Sequence, residues 1–460
     1  MGTTSRNGLF LNRRYFLQGG IALGVGAMGL DLLAACGSTT TTTTSDVVTA
    51  SVNTLPPNTN PGAQYVFKQV IKQFEQAYPN EKIVGKTDPY DPATFFAKVA
   101  AGQAEDAIQT YFTEPPLMIS KHVVADITSL AKSWQYWNSY NAGIASIVND
   151  PATGKIYGVP QNGYALGLFY NRKMFTAAGL NPDKPPTTWD DFRSAAKALS
   201  RSGVAGYAEP SISNQGGWRF TNWMYSAGGD MQSSDGTKAT FNSGKGVAVL
   251  QLLKNMRFTD NSMTKQQGYV QDNILQLLAS GKVAMAIMAP DQLNALKTVY
   301  GADLTNFGIG AMPQNGGNAA LTGGNIFVFN PKSSQDVIKA AFDYIIYSNF
   351  DLNLLESSLA QQAAAGQVVG APTSVLFIGA FQKQIQALNA KYATVPLQNY
   401  TSFINSTVAL RAEPRKQTQK MYAVLDSVVQ AVLSDSNANP QELLNQAAQQ
   451  FQQILDQSAS

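Results

Sequence analysis

The sequence predicts an α/β protein of two domains, and three observations carry that prediction. Short β-branched runs alternate with amphipathic stretches of helical period from Val47 onward, an order that builds a largely parallel sheet wrapped by helices. At 460 residues the chain exceeds what one hydrophobic core organises. No apolar run beyond Val47 reaches the roughly 20 residues of a membrane-spanning helix.

The first segment is an address rather than part of either domain. "RRYFLQGGIALGVGAMGLDLLAAC", Arg13 to Cys36, contains Gly24-Val-Gly26-Ala-Met-Gly29, a formal match to the dinucleotide-binding fingerprint. A phosphate-cradling loop needs a strand before it and a helix and an acidic residue after it. Here a polar start and Arg13-Arg14 precede the glycines, and Leu32-Leu33-Ala34-Ala35-Cys36 and a threonine run follow. A charged start, a modest apolar stretch and small residues before a cut have the layout of an export signal. Asn12-Arg13-Arg14-Tyr15-Phe16-Leu17-Gln18 resembles the twin-arginine signal, and Leu33-Ala34-Ala35-Cys36 resembles a bacterial lipobox. Residues 1–35 are therefore expected to be a removed signal and Cys36 a lipid anchor. Residues 36–46 form a Ser/Thr tether with no apolar side chain to bury.

The elements follow in order. "DVVTASV" is a β-branched strand. "QYVFKQVIKQFEQAYP" sets Val66, Val70, Phe74 and Tyr78 at helical spacing and stops at Pro79. "EKIVGK" is the second strand, "DPATFFAKVAAG" a helix closed by Gly102, and "DAIQTYF" the third strand. Gly85-Lys86-Thr87 is not a phosphate loop, because Asn80 stands where the motif needs glycine and Asp88-Pro89 replaces the helix. Further on, "TTWDDFRSAAKAL" carries Thr188 as N-cap with Asp191 in the capping-box position. "NPQELLNQAAQQFQQIL" carries Asn439, Pro440 at the first helical position and Glu442, and turns Leu444, Ala448, Phe451 and Leu455 to one face.

Composition excludes much chemistry. Cys36 is the only cysteine and His122 the only histidine, so internal disulfides, thiolate metal sites and polyhistidine zinc sites are out. No G-x-S-x-G elbow occurs, and "ISKHVVADI" reads as an ordinary element edge. Removing residues 1–35 takes away three arginines and one aspartate, leaving 30 basic against 29 acidic residues. A charge near +1 gives no electrostatic case for nucleic acid. Charged residues make up 14%, against the ~25% usual in soluble proteins, with asparagine and glutamine in their place. No cofactor is called for.

Three stretches carry a resemblance to a known family. "GKIYGVPQNGYALGLFYNRKMFTAAGLNPDKPPTTWDDF" (Gly154 to Phe192) is similar to its Y-G-V-P, L-x-Y-N and T-W-(D/E)-(D/E) succession. "FTNWMYSAGGDMQSSDGTKATFNSGKGVAVLQLL" (Phe220 to Leu253) holds its paired glycines, Gly228-Gly229. "LLASGKVAMAIMAP" (Leu277 to Pro290) is similar to its G-K-x-A-M element, and "GGNIFVFNPKSSQDVIKAAFDYIIY" and "GAPTS" follow in order. The chain thus resembles family 1 extracellular solute-binding proteins, the sugar receptors of ABC importers. The resemblance implies a non-enzymatic type II clamshell: lobe I from 47–163 plus 325–410, and lobe II from 164–324 plus 411–460. The chain would cross between them near Gly163-Tyr164, near Leu321 to Asn325, and before Pro414. One departure stands out: Met288-Ala289-Pro290-Asp291-Gln292 replaces a glycine and cleft tryptophan common in the family.

Ligands of open α/β sheets sit beyond the carboxyl ends of strands, and a sugar needs amide and carboxylate partners plus an aromatic platform. The candidate contacts are Asn53, Asp88, Tyr90, Thr113, Glu114, Tyr164, Trp218, Asp291, Asn325 and Arg411. Trp218 is flanked by Gly216-Gly217, which permit close approach. An anionic ligand would call on Arg219 and Arg411, a polyamine on Asp88, Asp91, Glu114 and Asp291. An exported glycoside hydrolase would use Glu114 and Asp291 as its carboxylate pair, whose spacing decides that chemistry. The expectation is a monomeric, membrane-anchored extracytoplasmic lipoprotein that delivers a carbohydrate to ABC permease subunits.

Overall fold

The computed structural model describes residues 47–92, 94–372 and 376–459; the signal, Cys36 and the tether lie outside them. Among the described residues there are ten strands: β1 (Val48–Val52), β2 (Glu81–Gly85), β3 (Ala107–Tyr111), β4 (Gly158–Ala165), β5 (Gly167–Asn171), β6 (Ala205–Tyr207), β7 (Val283–Met288), β8 (Phe307–Gly310), β9 (Ala319–Phe329) and β10 (Ala409–Ala412). They form two sheets. The first runs β10-β9-β3-β1-β2 with β4 also on β9, and the second runs β6-β7-β5-β8.

Both sheets are mixed, where the alternation of elements predicts largely parallel pairing. β1 is parallel to β2 and β3, but β9 is antiparallel to β3 and β4. In the second sheet β5 is antiparallel to both β7 and β8. The reason is connectivity. The chain leaves the first sheet along β4, builds the second, and returns along β9 from the opposite end, so β9 must run against β3.

Each sheet organises its own core. Val52, Phe74, Ile108, Ile326 and Phe342 pack around the first. On β5, Leu168 and Tyr170 enter one cluster while Phe169 enters another, the two-residue period of a strand covered on both faces. Two strands, β4 and β9, link the cores. Val159 belongs to the first core and Ala165 and Leu166 to the second region. Ala319 to Leu321 pack in the second and Ile326 to Phe329 in the first. Val395, Tyr400 and Phe403 pack with Phe307 and Ile309 against the second sheet, inside a stretch that the sequence division assigns to lobe I.

Helix ends follow the sequence closely. Thr188 accepts the Asp191 N–H at the start of helix Trp189–Leu199, and Asn439 accepts from Gln441 and Glu442 at helix Pro440–Ala459. Leu444, Ala448, Phe451 and Leu455 are buried there. Gly102 closes helix Phe95–Ala101 in the left-handed region, where glycine bears no Cβ penalty. Helix Pro61–Ala77 forms where the spacing predicts it and ends before Pro79, with Phe74 buried and Val66 and Tyr78 exposed. A row at spacing four advances about 400° per step, so it winds off the buried face within three steps.

Helix Gln215–Ser226 is buried from Gly216 to its end. Gly217 allows this: a Cβ there would lie 2.5 Å from Tyr422 Cα. Asp426 accepts the backbone N–H groups of Asn214 and Gly217, at 2.6 and 2.9 Å, and so caps the helix from a neighbouring one.

Candidate functional site

The predicted residues fall into three groups. The first lies beyond the carboxyl ends of β2 and β3. The Tyr90 hydroxyl donates to Glu114 Oε2 at 2.6 Å, and the Thr113 hydroxyl donates to Glu114 Oε1 at 2.9 Å. Burial, then the Glu114 carboxylate, holds the Tyr90 phenol well above its ordinary range; it is a fixed donor at neutral pH. Asp88, Asn53 and Tyr90 line one small pocket, but Asp88 is paired with Lys98. Asn53 is engaged by the sheet: its Oδ1 accepts the Gln109 N–H at 2.7 Å and its Nδ2 donates to Gln109 O at 3.3 Å.

The second group lies where the strands cross. Tyr164 on β4 meets Trp218 edge-on, with ring centres 6.0 Å apart and planes at 75°. Tyr164 opposes Gly323 on β9, and Asn162 opposes Asn325. A Cβ on Gly323 would sit 2.4 Å from the Tyr164 hydroxyl, and one on Gly324 2.1 Å from Asn162 O. The paired glycines therefore let β4 and β9 close up. Asn325 donates its N–H to Asn162 Oδ1 at 3.1 Å. The Thr322 hydroxyl donates to Tyr164 O, and the Leu321 N–H donates to the buried Asn222 Oδ1.

The third group is dispersed. Asp291 stands past β7 at the start of helix Gln292–Thr298, accepting from the Gln292 amide. Arg411 on β10 donates to Gly229 O at 3.0 Å, pairs with Asp230 and lies 4.2 Å from the centre of the Tyr225 ring. It ties β10 to the end of helix Gln215–Ser226. Trp189, Trp218 and Trp223 are all buried in the core, with Trp218 only 5% exposed, Trp134 packs in an aromatic cluster with Phe350 and Phe381, and His122 is exposed.

Sequence reasoning passed over three residues here. Tyr111 ends β3, is exposed, lies edge-on to Tyr90 and opposes Asn325 in register. Its signal was its place as the last residue of the strand. Asn162 faces solvent beside the glycine pair. Glu209, just past β6, is fully buried; burial lifts its carboxyl to about 7, against the opposing pull of Arg219. The rule that contacts lie just past strands reaches Glu209 as readily as Glu114. Among the described residues no group of three or more His, Cys, Asp or Glu side chains is placed to hold a metal.

Aromatic rings, fixed hydroxyl donors and carboxylates thus gather at the ends of both sheets and along the strands between them. Residues 58–347 match the family described as bacterial extracellular solute-binding protein. The chain belongs to that family. The sn-glycerol-3-phosphate-binding periplasmic protein of Yersinia pestis is 24% identical over 305 residues, covering 60% of this chain and 65% of its own length. A solute-binding protein of Thermotoga lettingae, solved with alpha-D-tagatose, superposes with a TM-score of 0.63 at 20% identity, over 89% of this chain and 100% of that one. The sugar-binding protein MalE of Xanthomonas citri does so with a TM-score of 0.69 at 15% identity, over 89% and 98%. This family member therefore has the fold of type II periplasmic binding proteins. Membership makes it an extracytoplasmic binding protein, and no described helix is long and apolar enough to cross a membrane.

Proposed function

We propose that this solute-binding protein captures a carbohydrate between its two lobes and delivers it to the membrane subunits of an ABC importer. The observation that carries the reading is the passage of β4 and β9 from one core to the other beside the Tyr164–Trp218 pair. Strands shared between cores are where hinge closure bends a protein. The hinge lies at Gly163-Tyr164, at Thr322 to Asn325 and in β10 before Pro414. Lobe I is built on the first sheet; lobe II is built on the second, with 395–403 packed against it. On closure Trp218 and Tyr164 cover the C–H face of a sugar. Tyr90, Glu114 and Tyr111 meet its hydroxyls and opposite face, with Asn325 at the rim. The role is binding and release, without a catalytic step. The protein works as a monomer, held at the bilayer by lipid on Cys36 after a twin-arginine-type export signal is removed.

A thermal-shift screen of residues 47–460 against mono- and oligosaccharides, polyamines, amino acids and phosphoesters tests this. Ligand at a hundredfold excess over Kd stabilises the native state by ~2.7 kcal/mol. A shift with one saccharide class that Trp218→Ala abolishes supports the reading; a shift confined to polyamines refutes the carbohydrate. Anchoring is separable: Cys36→Ala in the full chain leaves soluble or unprocessed protein. Mature-length variant retained in full by the membrane fraction would sink the lipid-anchor reading.

A further inference from the structure

Besides β4 and β9, a pair of helices reaches from one lobe to the other. Helix Leu352–Ala364 follows helix Gln335–Phe350 directly, and its Leu352 packs on the first core. Helix Gly379–Lys391 also stands on lobe I: Phe381 stacks on Tyr136 with ring centres 3.9 Å apart, and Ile385 packs on the same core. The Asn141 N–H donates to Leu376 O and the Ile378 N–H to Ser139 O, each at 2.7 Å. Lys391 and the Tyr392 hydroxyl both donate to Glu356, which holds the two helices together.

The far ends of both helices rest on lobe II. After the second helix, Val395, Tyr400 and Phe403 enter the second sheet's core, and the Asn399 amide donates to Thr305 O and Phe307 O at 3.1 Å. The foot after the first helix, Gly366 to Ala371, is held differently. Its Val368 and Ala371 are only partly buried against the second core. The Lys297 ammonium of lobe II donates to Gly366 O at 2.9 Å. The Thr394 hydroxyl accepts the Val369 N–H at 2.9 Å and donates to Gln367 O at 2.6 Å.

Hydrogen bonds at the surface are worth little net, because water replaces either partner. Lys297 suits its place, since the carbonyls that end a helix attract a cation. The two feet therefore differ in kind: 395–403 is fixed by burial, whereas 366–371 is fastened by groups that water can release. Each helix has 13 residues and is a stiff rod of about 20 Å. A rod fixed to lobe I at one end and to lobe II at the other resists rotation between them. With the foot at 366–371 lifted, the pair holds lobe II through the other foot alone.

We propose that this helical pair is an inter-lobe brace, and that Gly366 to Ala371 form its latch, fastened to lobe II by Lys297 and Thr394 and limiting how far the lobes open. This rests on hinge closure between the lobes and not on the nature of the ligand.

The test needs no ligand. Cys36 is the only cysteine, so in a Cys36→Ala background Lys72→Cys and Lys197→Cys put one spin label on an exposed helix position of each lobe. Pulsed double electron resonance gives their distance distribution, and hydrogen exchange reports the amides of 367–370. The latched protein gives one narrow distance. The double variant Lys297→Met/Thr394→Val adds a longer-distance population and speeds exchange at 367–370 several-fold. Thr394 is exposed and Lys297 partly so, so the fold is kept and Tm changes little. Lys297→Arg preserves the narrow distance, and Lys339→Met, at an exposed site elsewhere on lobe I, changes neither readout. Exchange that stays slow in the double variant overturns the latch and leaves hinge closure untouched. So does a broad distribution already present in the unmodified protein that the double variant does not move. Faster exchange with one narrow distance in every variant means that the lobes form a single rigid body, and hinge closure then falls with the latch.

Discussion

Glu209 shows how far a single residue departs from what its type suggests. A glutamate after a short strand reads as a surface residue, yet it is buried between Tyr207 and Arg219. Its carboxyl titrates at about 7 in the folded chain, above the ordinary glutamate value. The folded state therefore binds this proton more tightly than the unfolded chain. The associated stability is complete below the unfolded pKa and is lost as pH rises to about 7. Glu209→Gln, which stays neutral, is expected to change stability little near pH 4 and to raise it at pH 8. The gain is on the order of 3 kcal/mol, the upper limit from the shift in pKa. Urea denaturation at both values checks this; a loss of equal size at each pH would contradict it. Asn53 makes the opposite point, because a polar residue at a strand end here serves its neighbouring strand.

At the scale of elements, helix Gln215–Ser226 and the β4–β9 crossing carry the argument. The helix is buried on every side, so its first amides have no water and depend on Asp426. Asp426→Ala should cost about 1–2 kcal/mol, and Asp426→Asn, which keeps an acceptor, less than half of that by chemical denaturation. The crossing glycines allow a finer prediction. A Cβ at Gly324 meets the fixed backbone of Asn162, whereas one at Gly323 meets the tip of the Tyr164 side chain, which can swing aside. Gly324→Ala is expected to destabilise by about 1–3 kcal/mol and Gly323→Ala by less. The reverse order in Tm would show that Tyr164 is the more rigid neighbour. Capping signals at Thr188 and Asn439 were legible because a cap is a local bargain between a side chain and three following residues. The face of helix Pro61–Ala77 was less so, because which side is buried depends on helix Gln335–Phe350 and the sheet beside it.

For the whole molecule, low charge is the governing fact. With 14% charged residues over the full chain and ion pairs that are largely solvent-exposed, such as Lys155–Asp126 and Lys391–Glu356, electrostatics contribute little to holding the fold. Raising NaCl from about 0.05 to about 0.5 M is expected to move Tm by no more than about 2 °C. A large fall would mean that exposed ion pairs matter more than their geometry implies.

The alternation of strands and helices, the first three strands, the principal caps and the family resemblance are all legible in the residues alone. These are local patterns or ordered motifs, and they survive without knowledge of distant contacts. Four features emerge only from the folded chain: both sheets are mixed, 395–403 packs on the second sheet, Arg411 is bound to Gly229 and Asp230, and Glu209 is buried beside Arg219. Each depends on residues far apart in the chain, from Trp218 with Tyr164 to Asp426 with Gly217. Their pairing follows from packing and burial, which no run of neighbouring residues encodes.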